Sequence, residues 1–251
     1  MKFPILTIKN LKELKPKKIS NMLKKYKALI VRGYISKNKL IKIKQSFEKK
    51  FNQKNDRIRP PGKYNLIKKN YQRVIIGMSG GLVQSRTNSR IMRTFYNPLY
   101  CRDIYNMHEI FNEMLLFQNK LYGLPENYGN KQRKTKHNLF VASRINHYPA
   151  GGGFLSLHKD TSAAISIKNY IKNYFQILLT MSKKGKDYKE GGGIVYKNQK
   201  IYCFDDYTEI GDMILYNGQT IHGVKDVDPH KHLDMKKIRG RLTAAVTLFK
   251  Y

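Results

Sequence analysis

The residues best suited to chemistry in this sequence lie just after a glycine-rich turn. His158 and Asp160 are separated by one residue and follow Gly151-Gly152-Gly153. Side chains of an extended chain alternate between its faces, so the imidazole and the carboxylate project from the same side. A nitrogen and a carboxylate oxygen that converge in this way supply two of the three ligands of a 2-His-1-carboxylate facial triad, which holds non-haem Fe(II) and leaves the opposite face of the ion open.

A third ligand and an anion-binding site follow in order along the chain. His222 comes after a Gly-Asp turn and an apolar strand, at the start of the next extended run. Further on, Arg239-Gly240-Arg241-Leu242-Thr243 opens the last predicted strand. Arg241 and Thr243 face the same way because they are two residues apart, and Arg239 shares that face. A guanidinium beside a hydroxyl is suited to binding a carboxylate, so the sequence predicts an anion site near a metal site.

These motifs resemble those of the Fe(II)/2-oxoglutarate-dependent dioxygenases. The pattern of that family is His-x-Asp, a distant His, and then Arg-x-Ser/Thr, all carried on a double-stranded β-helix. The matching residues here are His158-Lys159-Asp160, His222 and Arg241-Leu242-Thr243. The resemblance covers roughly residues 139–251, and no motif ties the first half of the chain to a subfamily.

The resemblance implies both a fold and an organisation of the chain. The expected fold is α+β with a mainly β core, a jelly-roll or cupin-like double-stranded β-helix with flanking N-terminal helices. We expect a single dioxygenase domain over residues 1–251. In this domain 1–138 forms an N-terminal elaboration of helices and loops, and 139–251 forms the core with the metal site.

The resemblance also assigns roles to the ligand set. His158, Asp160 and His222 would hold Fe(II), 2-oxoglutarate would chelate the ion as cosubstrate, and O2 would take the last position. Arg241 would bind the far carboxylate of 2-oxoglutarate, and Thr243 would add a hydroxyl hydrogen bond. Related halogenases replace the carboxylate ligand by a small residue, so the presence of Asp160 favours hydroxylation or an oxidation derived from it, such as demethylation or desaturation.

A second group of candidate residues lies on the strand that precedes the glycine turn. Residues 139–148 alternate, so Arg144, Asn146 and Tyr148 share a face. If that face looks into the barrel, Asn146 and Tyr148 would hydrogen-bond 2-oxoglutarate and Arg144 would contact the substrate. Arg239 has two alternatives: it is either the cosubstrate arginine in place of Arg241 or a substrate-binding cation nearer the mouth.

The remaining pattern predicts the elements that position these residues. Apolar and alternating runs predict strands, and helical spacing of apolar residues predicts helices, one of them capped by Ser36. The region 52–98 lacks regular periodicity apart from a short strand, and it either covers the substrate side of the metal or wraps the barrel. The predicted strands are 28–35, 73–76, 139–148, 175–181, 193–197, 200–204, 213–216 and 242–249. The predicted helices are 9–26, interrupted by Pro16, 37–51 and 102–121.

Composition limits the setting and the partners. The 251 residues carry 49 Lys and Arg against 17 Asp and Glu, a net charge of +32, which attracts nucleic acid or other polyanions whatever the fold. An AT-rich genome explains many lysines but not the scarcity of acids. The N-terminus lacks the apolar run of a signal peptide and no stretch is long enough to span a membrane, so we expect a soluble, cytoplasmic protein. Cys101 and Cys203 lack metal-type spacing and are expected to be reduced thiols.

Several substrates fit the same residues. The first hypothesis is hydroxylation of a small-molecule or amino-acid-like substrate, with release of succinate and CO2. The alternatives are a demethylating nucleic-acid alkylation-repair dioxygenase and a peptide or protein hydroxylase. The repair family has a similar Ser-Leu-His-x-Asp and Asn-x-Tyr, but its closing Arg-x-Asn-x-Thr-x-Arg is incomplete in residues 239–245, which lack the Asn and the final Arg. A non-enzymatic β-barrel binding module would predict that no iron is bound.

Overall fold

The computed structural model describes residues 2–58, 68–79, 87–130, 139–160 and 174–250. Within them the chain forms thirteen strands and three α-helices. The strands are β1 (Ile5–Thr7), β2 (Ala28–Arg32), β3 (Arg57–Ile58), β4 (Tyr71–Ser79), β5 (Thr87–Tyr96), β6 (Leu139–Pro149), β7 (Leu155–His158), β8 (Phe175–Thr180), β9 (Gly192–Lys197), β10 (Lys200–Cys203), β11 (Met213–Asn217), β12 (His222–Lys225) and β13 (Gly240–Lys250). The helices are α1 (Pro16–Tyr26), α2 (Lys37–Lys50) and α3 (His108–Tyr122).

The strands form two sheets that together make a jelly-roll. The larger sheet has the order β1-β2-β11-β8-β13-β6-β5-β4-β3, and the smaller has the order β10-β9-β12-β7. From β6 onward, successive strands alternate between the sheets, except that the β9–β10 hairpin stays in one sheet. As a result, β6, β8, β11 and β13 lie in the larger sheet and β7, β9, β10 and β12 in the smaller. This alternation is that of a double-stranded β-helix, so the fold class predicted from the sequence is confirmed.

The N-terminal part of the chain extends the larger sheet and covers its outer face. On one side β2 pairs antiparallel with β11, and on the other β5 pairs antiparallel with β6. The helices contribute to the main apolar core, which includes Leu23 of α1, Phe47 of α2, Phe111 of α3 and Leu248 of β13. Burial of such side chains stabilises a protein by about 1.5–3 kcal/mol each relative to exposure. The helical layer therefore packs against the larger sheet, whose strands β6 and β13 carry the predicted cosubstrate residues.

The helix boundaries show how local chemistry sets an element's start. Ser36 caps α2 as predicted, and its hydroxyl accepts a hydrogen bond from the Lys39 amide. α1 begins only at Pro16, because proline lacks an amide hydrogen and is tolerated in the first turn but not inside a helix. α3 begins at His108 rather than at 102, since the Asp103 carboxylate holds the preceding turn by accepting hydrogen bonds from the Tyr105, Met107 and His108 amides.

The expectation that 52–98 lacks regular structure is wrong for the described part of that region. β4 and β5 form a long antiparallel hairpin that joins the larger sheet. β5 was not predicted because residues on both of its faces are buried. Phe95 packs edge-on against Phe47 of α2, with ring centroids 4.8 Å apart. The neighbouring Arg93 and Thr94 are also fully buried. A strand of this kind does not alternate between apolar and polar residues.

Some predictions lie outside the described residues. The sequence also predicts basic loops at 57–63 and 125–137 and a further loop at 78–86. Most of these residues, including Lys131, Arg133, Lys134 and Lys136, lie outside the described part of the chain. Among the helices that the structure describes, none combines the length and the apolar character needed to cross a bilayer.

Candidate metal centre

The two histidines of the predicted triad meet because their strands are neighbours in the smaller sheet. β7 and β12 pair antiparallel with His158 directly opposite His222, and the two imidazole rings are 4.3 Å apart between centroids. Asp160 follows β7, and its amide donates a hydrogen bond of 3.0 Å to the carbonyl of Gly218 in the turn before β12. This contact brings the carboxylate back to the histidines. One ligand atom from each of the three side chains lies within 4.8 Å of the other two.

Hydrogen bonds to the backbone fix the tautomer of both histidines. Nδ1 of His158 lies 2.8 Å from the carbonyl of Ser156, and Nδ1 of His222 lies 2.9 Å from the carbonyl of Thr220. A carbonyl oxygen only accepts, so each Nδ1 carries the proton and donates it. In the neutral ring the lone pair is then on Nε2, which is the arrangement that backbone carbonyls impose on metal-binding histidines.

The carboxylate of Asp160 completes a set of electron-pair donors without a proton among them. Its Oδ1 lies 3.7 Å from Nε2 of His158, and its Oδ2 lies 3.5 Å from Nε2 of His222. These distances are too long for good hydrogen bonds, and the buried Oδ2 has no hydrogen-bond partner among the described residues. Three lone pairs that point at one another are unfavourable unless a cation lies between them. The donor set therefore fits a divalent metal ion held by two imidazoles and one carboxylate.

Burial keeps His222 in the form that binds a metal. Desolvation lowers the pKa of His222, and the charge of Asp160 opposes this shift only in part. The ring of Tyr216 packs against the imidazole at 4.4 Å between centroids, and its hydroxyl is held neutral because burial raises the pKa of Tyr216 well above its ordinary value. The neutral imidazole is a ligand over the physiological pH range, whereas an imidazolium is not.

The candidate ligands open into a cavity of about 150 Å³. Most of the predicted site residues line it, although Arg239 does not: it precedes β13 and its side chain is exposed. The predicted residues that the structure brings together in this cavity are His158, Asp160, His222, Arg144, Asn146, Tyr148, Arg241 and Thr243. A cavity of this size is smaller than the volume of about 300 Å³ or more that is usual for a drug-sized ligand.

A polar row crosses the inner face of the larger sheet beside this cavity. Thr94, Asn146, Thr243 and Thr180 occupy one register on β5, β6, β13 and β8. All four are buried, and Thr94 Oγ1, Asn146 Oδ1 and Thr180 Oγ1 have no hydrogen-bond partner among the described residues. Buried polar atoms are normally paired, so unpaired ones next to a cavity indicate a site for a polar ligand.

Arg241 is held by an aspartate that the sequence pattern does not reveal. Asp205 Oδ2 accepts hydrogen bonds from Nε of Arg241 at 2.6 Å, from the Tyr188 hydroxyl at 2.5 Å and from the Gly193 amide at 2.7 Å. Burial has the largest single effect and lowers the pKa of Arg241, but the charge of Asp205 and its hydrogen bond, with Tyr188 and Tyr148, together raise that pKa above its ordinary value. The guanidinium also lies over the rings of Tyr148 and Phe204, at 5.6 Å from each centroid.

Gly193 makes room for this pair. A Cβ atom at Gly193 would lie 2.2 Å from the ring of Phe204 and 2.5 Å from Nη2 of Arg241. Such approaches are far inside van der Waals contact, so the guanidinium occupies its place only because residue 193 lacks a side chain. Asp205 and Gly193 are thus functional positions that were missed from the sequence, where nothing in the spacing relates them to Arg241.

Comparisons with known proteins place this fold. No family model and no curated protein sequence matches the chain. A prolyl hydroxylase from Trichoplax adhaerens, in complex with a hypoxia inducible factor oxygen degradation domain peptide fragment, aligns with a TM-score of 0.53 and 12% identity over 94% of this chain and 89% of that chain. JOX2 in complex with 2OG, Fe and JA aligns with a TM-score of 0.52 and 13% identity over 99% of this chain and 75% of that chain. A Pseudomonas putida prolyl-4-hydroxylase aligns with a TM-score of 0.50 and 8% identity over 94% of this chain and 100% of that chain.

These similarities concern the fold. The chain has the fold of two prolyl hydroxylases and of JOX2, so the fold expected from the sequence is confirmed. The His-Asp-His cluster lies in that fold as an independent finding, since its geometry comes from this chain's own contacts. The functional proposal therefore rests on two findings, the fold and the His-Asp-His cluster.

Proposed function

We propose that this chain is a single-domain Fe(II)- and 2-oxoglutarate-dependent dioxygenase that hydroxylates a small-molecule or amino-acid-like substrate, releasing succinate and CO2. One observation carries the proposal. Three lone-pair donors converge on one point: Nε2 of His158, Nε2 of His222 and the carboxylate of Asp160. Both histidines carry their ring proton on Nδ1, so the two Nε2 atoms are free to bind a metal ion. The fold supports the same conclusion, and the predicted division into 1–138 and 139–251 stays part of the proposal.

The chain's residues divide the work of the site. Bound Fe(II), with 2-oxoglutarate and O2, would supply the oxidant for a substrate C–H bond. The carbonyls of Ser156 and Thr220 orient the two imidazoles, and the larger sheet presents hydrogen-bonding groups to the cosubstrate. We assign cosubstrate binding to Arg241, Thr243, Asn146 and Tyr148, which line the cavity with the ligands. Burial raises the pKa of Tyr148 to about 12, so its hydroxyl remains a hydrogen-bond donor at physiological pH.

The cavity of about 150 Å³ suits a small cosubstrate, whereas the charge of the chain bears on the choice of substrate. The net charge of +32 favours a polyanion, which keeps nucleic-acid demethylation as a second candidate. A peptide or protein substrate is a third, since one structural neighbour was solved with a peptide fragment, whereas JOX2 was solved with JA. Arg239, being exposed, would contact only a substrate large enough to extend from the cavity to the surface. The cytoplasmic location stays a prediction.

The first test measures metal binding and turnover together. Wild type, His158→Ala, His222→Ala and the exposed-histidine control His232→Ala are titrated with Fe(II) without O2, and then assayed for succinate formed from 2-oxoglutarate with O2. Amino acids, peptides and methylated single-stranded DNA or RNA are offered in turn. We expect both ligand variants to lose iron binding and succinate formation, and His232→Ala to retain them.

The outcome also separates the candidate substrates. The pool that stimulates succinate formation identifies the substrate class, and stimulation by nucleic acid should fall steeply as salt rises because phosphate contacts release counterions. A small neutral substrate should respond little to salt. If His158→Ala binds iron as tightly as wild type, the proposed triad is wrong, and a wild type that binds no iron would favour the non-enzymatic binding module.

A further inference from the structure

The charge of Arg241 is cancelled before any ligand binds. Its Nε and Nη2 both donate to the carboxylate of Asp205, at 2.6 and 3.3 Å, and both side chains are almost completely buried. Arg241 therefore brings directional N–H donors to the cavity, but the pair brings no net charge. A doubly negative cosubstrate moved from water into such a site would find little to offset the loss of its hydration.

Arg144 is the second guanidinium of the cavity, and its situation is different. It lies on the same face of β6 as Asn146 and lines the cavity together with His158 and Asp160. Its Nη1 donates to the hydroxyl of Thr247 at 3.0 Å, which is a neutral partner. The side chain is only half-buried, and it lines the cavity.

No acidic side chain forms an ion pair with Arg144. All 17 Asp and Glu of the chain lie in the described residues, because the segments 59–67, 80–86, 131–138 and 161–173 contain neither residue type. The ion pairs formed by these carboxylates do not include Arg144. The full set of acids is therefore accounted for, and Arg144 keeps its positive charge within the cavity.

A count of formal charges shows how much of the negative charge of 2-oxoglutarate Arg144 would offset. A divalent metal and Asp160 together carry one positive charge, 2-oxoglutarate carries two negative charges, and the Arg241–Asp205 pair carries none. The filled site would be left with one negative charge without Arg144 and is neutral with it. Uncompensated charge is costly in a poorly hydrated cavity, and a guanidinium is the side chain best suited to a carboxylate.

We propose that Arg144 is a cosubstrate-binding residue that supplies the counter-charge for the 2-oxoglutarate dicarboxylate, while Asp205 orients Arg241 and removes its charge. This inference rests on the proposed function, and it moves Arg144 from the substrate, where the sequence suggested it, to the cosubstrate. It divides the tasks of the two arginines: Arg241 provides fixed hydrogen bonds, and Arg144 provides charge.

The test is 2-oxoglutarate binding by calorimetry with Mn(II) in place of Fe(II), so that no turnover occurs and no substrate is needed. The variants are Arg144→Gln, Arg144→Lys and the exposed control Arg102→Gln. Loss of one charge-assisted interaction should weaken 2-oxoglutarate binding about 10- to 100-fold in Arg144→Gln. Arg144→Lys keeps the charge and should lose less, Arg102→Gln should match wild type, and Mn(II) affinity should be unchanged in all three.

A second variant tests the division of charge directly. Asp205→Asn in the Arg144→Gln background frees the charge of Arg241 and should recover part of the lost affinity for 2-oxoglutarate. Wild-type affinity in Arg144→Gln would overturn the proposal, and if that variant lost only the stimulation by substrate, Arg144 would be a substrate residue instead. A wild type that binds Mn(II) but not 2-oxoglutarate would refute the proposed function itself, whatever Arg144 does.

Discussion

Replacing His147 by glutamine should make the stability of this protein less sensitive to acid. His147 is completely buried on β6, and its Nε2 donates to the carbonyl of Arg239 at 2.9 Å. Its Nδ1 lies 3.2 Å from Nη1 of Arg93, which only donates, so Nδ1 accepts and the ring is neutral. Protonation would place a second N–H, and a positive charge, against the buried guanidinium.

The size of the effect follows from the pKa of this imidazole. Burial, helped by the charge of Arg93 and opposed by the Arg239 carbonyl, lowers the pKa of His147 to about 3 from an ordinary value of 6.5. Between these values the unfolded chain binds a proton that the folded protein does not, so folding stability is lost as pH falls below about 6.5. Each unit of pH in this window costs about 1.4 kcal/mol, hence about 2–3 kcal/mol between pH 6.5 and about pH 4.5.

The assay is urea unfolding of the metal-loaded protein at these two pH values, for wild type, His147→Gln and the exposed control His232→Gln. Wild type and His232→Gln should lose about 2–3 kcal/mol more than His147→Gln on acidification. Metal release as the ligands protonate is common to all three proteins and cancels in the comparison. Equal losses in wild type and His147→Gln would show that the buried imidazole is charged in the folded protein, and the reasoning would be refuted.

Two further substitutions test how the site and its support are built. Gly193→Ala would force a methyl group against Phe204 and Arg241 and should cost about 1–3 kcal/mol of stability and weaken 2-oxoglutarate binding, whereas Gly152→Ala meets only the flexible ends of two aliphatic side chains. Thermal unfolding and calorimetry measure both effects, and equal affinities in the two variants would contradict the described cradle. Asp103→Ala should lower the free energy of unfolding by about 1–2 kcal/mol because three amides before α3 lose their acceptor, and Asp103→Asn, which keeps an acceptor, should lose less.

The metal ligands could be predicted from the sequence because their information is local. His158 and Asp160 are two residues apart after a glycine turn, so their side chains share a face wherever that strand lies. His222 follows an apolar strand and a turn that end close to them in a jelly-roll. The alternation of 139–148 similarly places Asn146 and Tyr148 on one face, and the structure puts that face toward the cavity. In each case periodicity alone decides orientation.

β5 could not be predicted in the same way, because its burial depends on elements far away in the chain. Arg93 reads as a surface residue, yet it is completely buried and makes a two-pronged ion pair with Asp56. Its neighbour Phe95 packs against Phe47 of α2, which lies about fifty residues earlier in the chain. In the part of β5 from 91 to 96, buried residues lie on both faces of the strand, so the polar and apolar pattern carries no period.

The arginines of the site show why a motif identifies ligands better than charges. The Arg-x-Thr motif predicts an arginine near the metal ligands, and Arg241 lines their cavity. A strand pattern cannot show, however, that Asp205, which follows β10, lies against this guanidinium. That contact changes what the cavity needs, since a neutralised Arg241 leaves the compensation of a dicarboxylate to another cation. Arg144 meets that need through its position on β6 and through the absence of a carboxylate partner among the chain's 17 acids, all of which are described. The pairing of Arg241 with Asp205 therefore determines the role proposed for Arg144. Measuring 2-oxoglutarate affinity in variants of both positions separates the contribution of hydrogen bonding from that of charge.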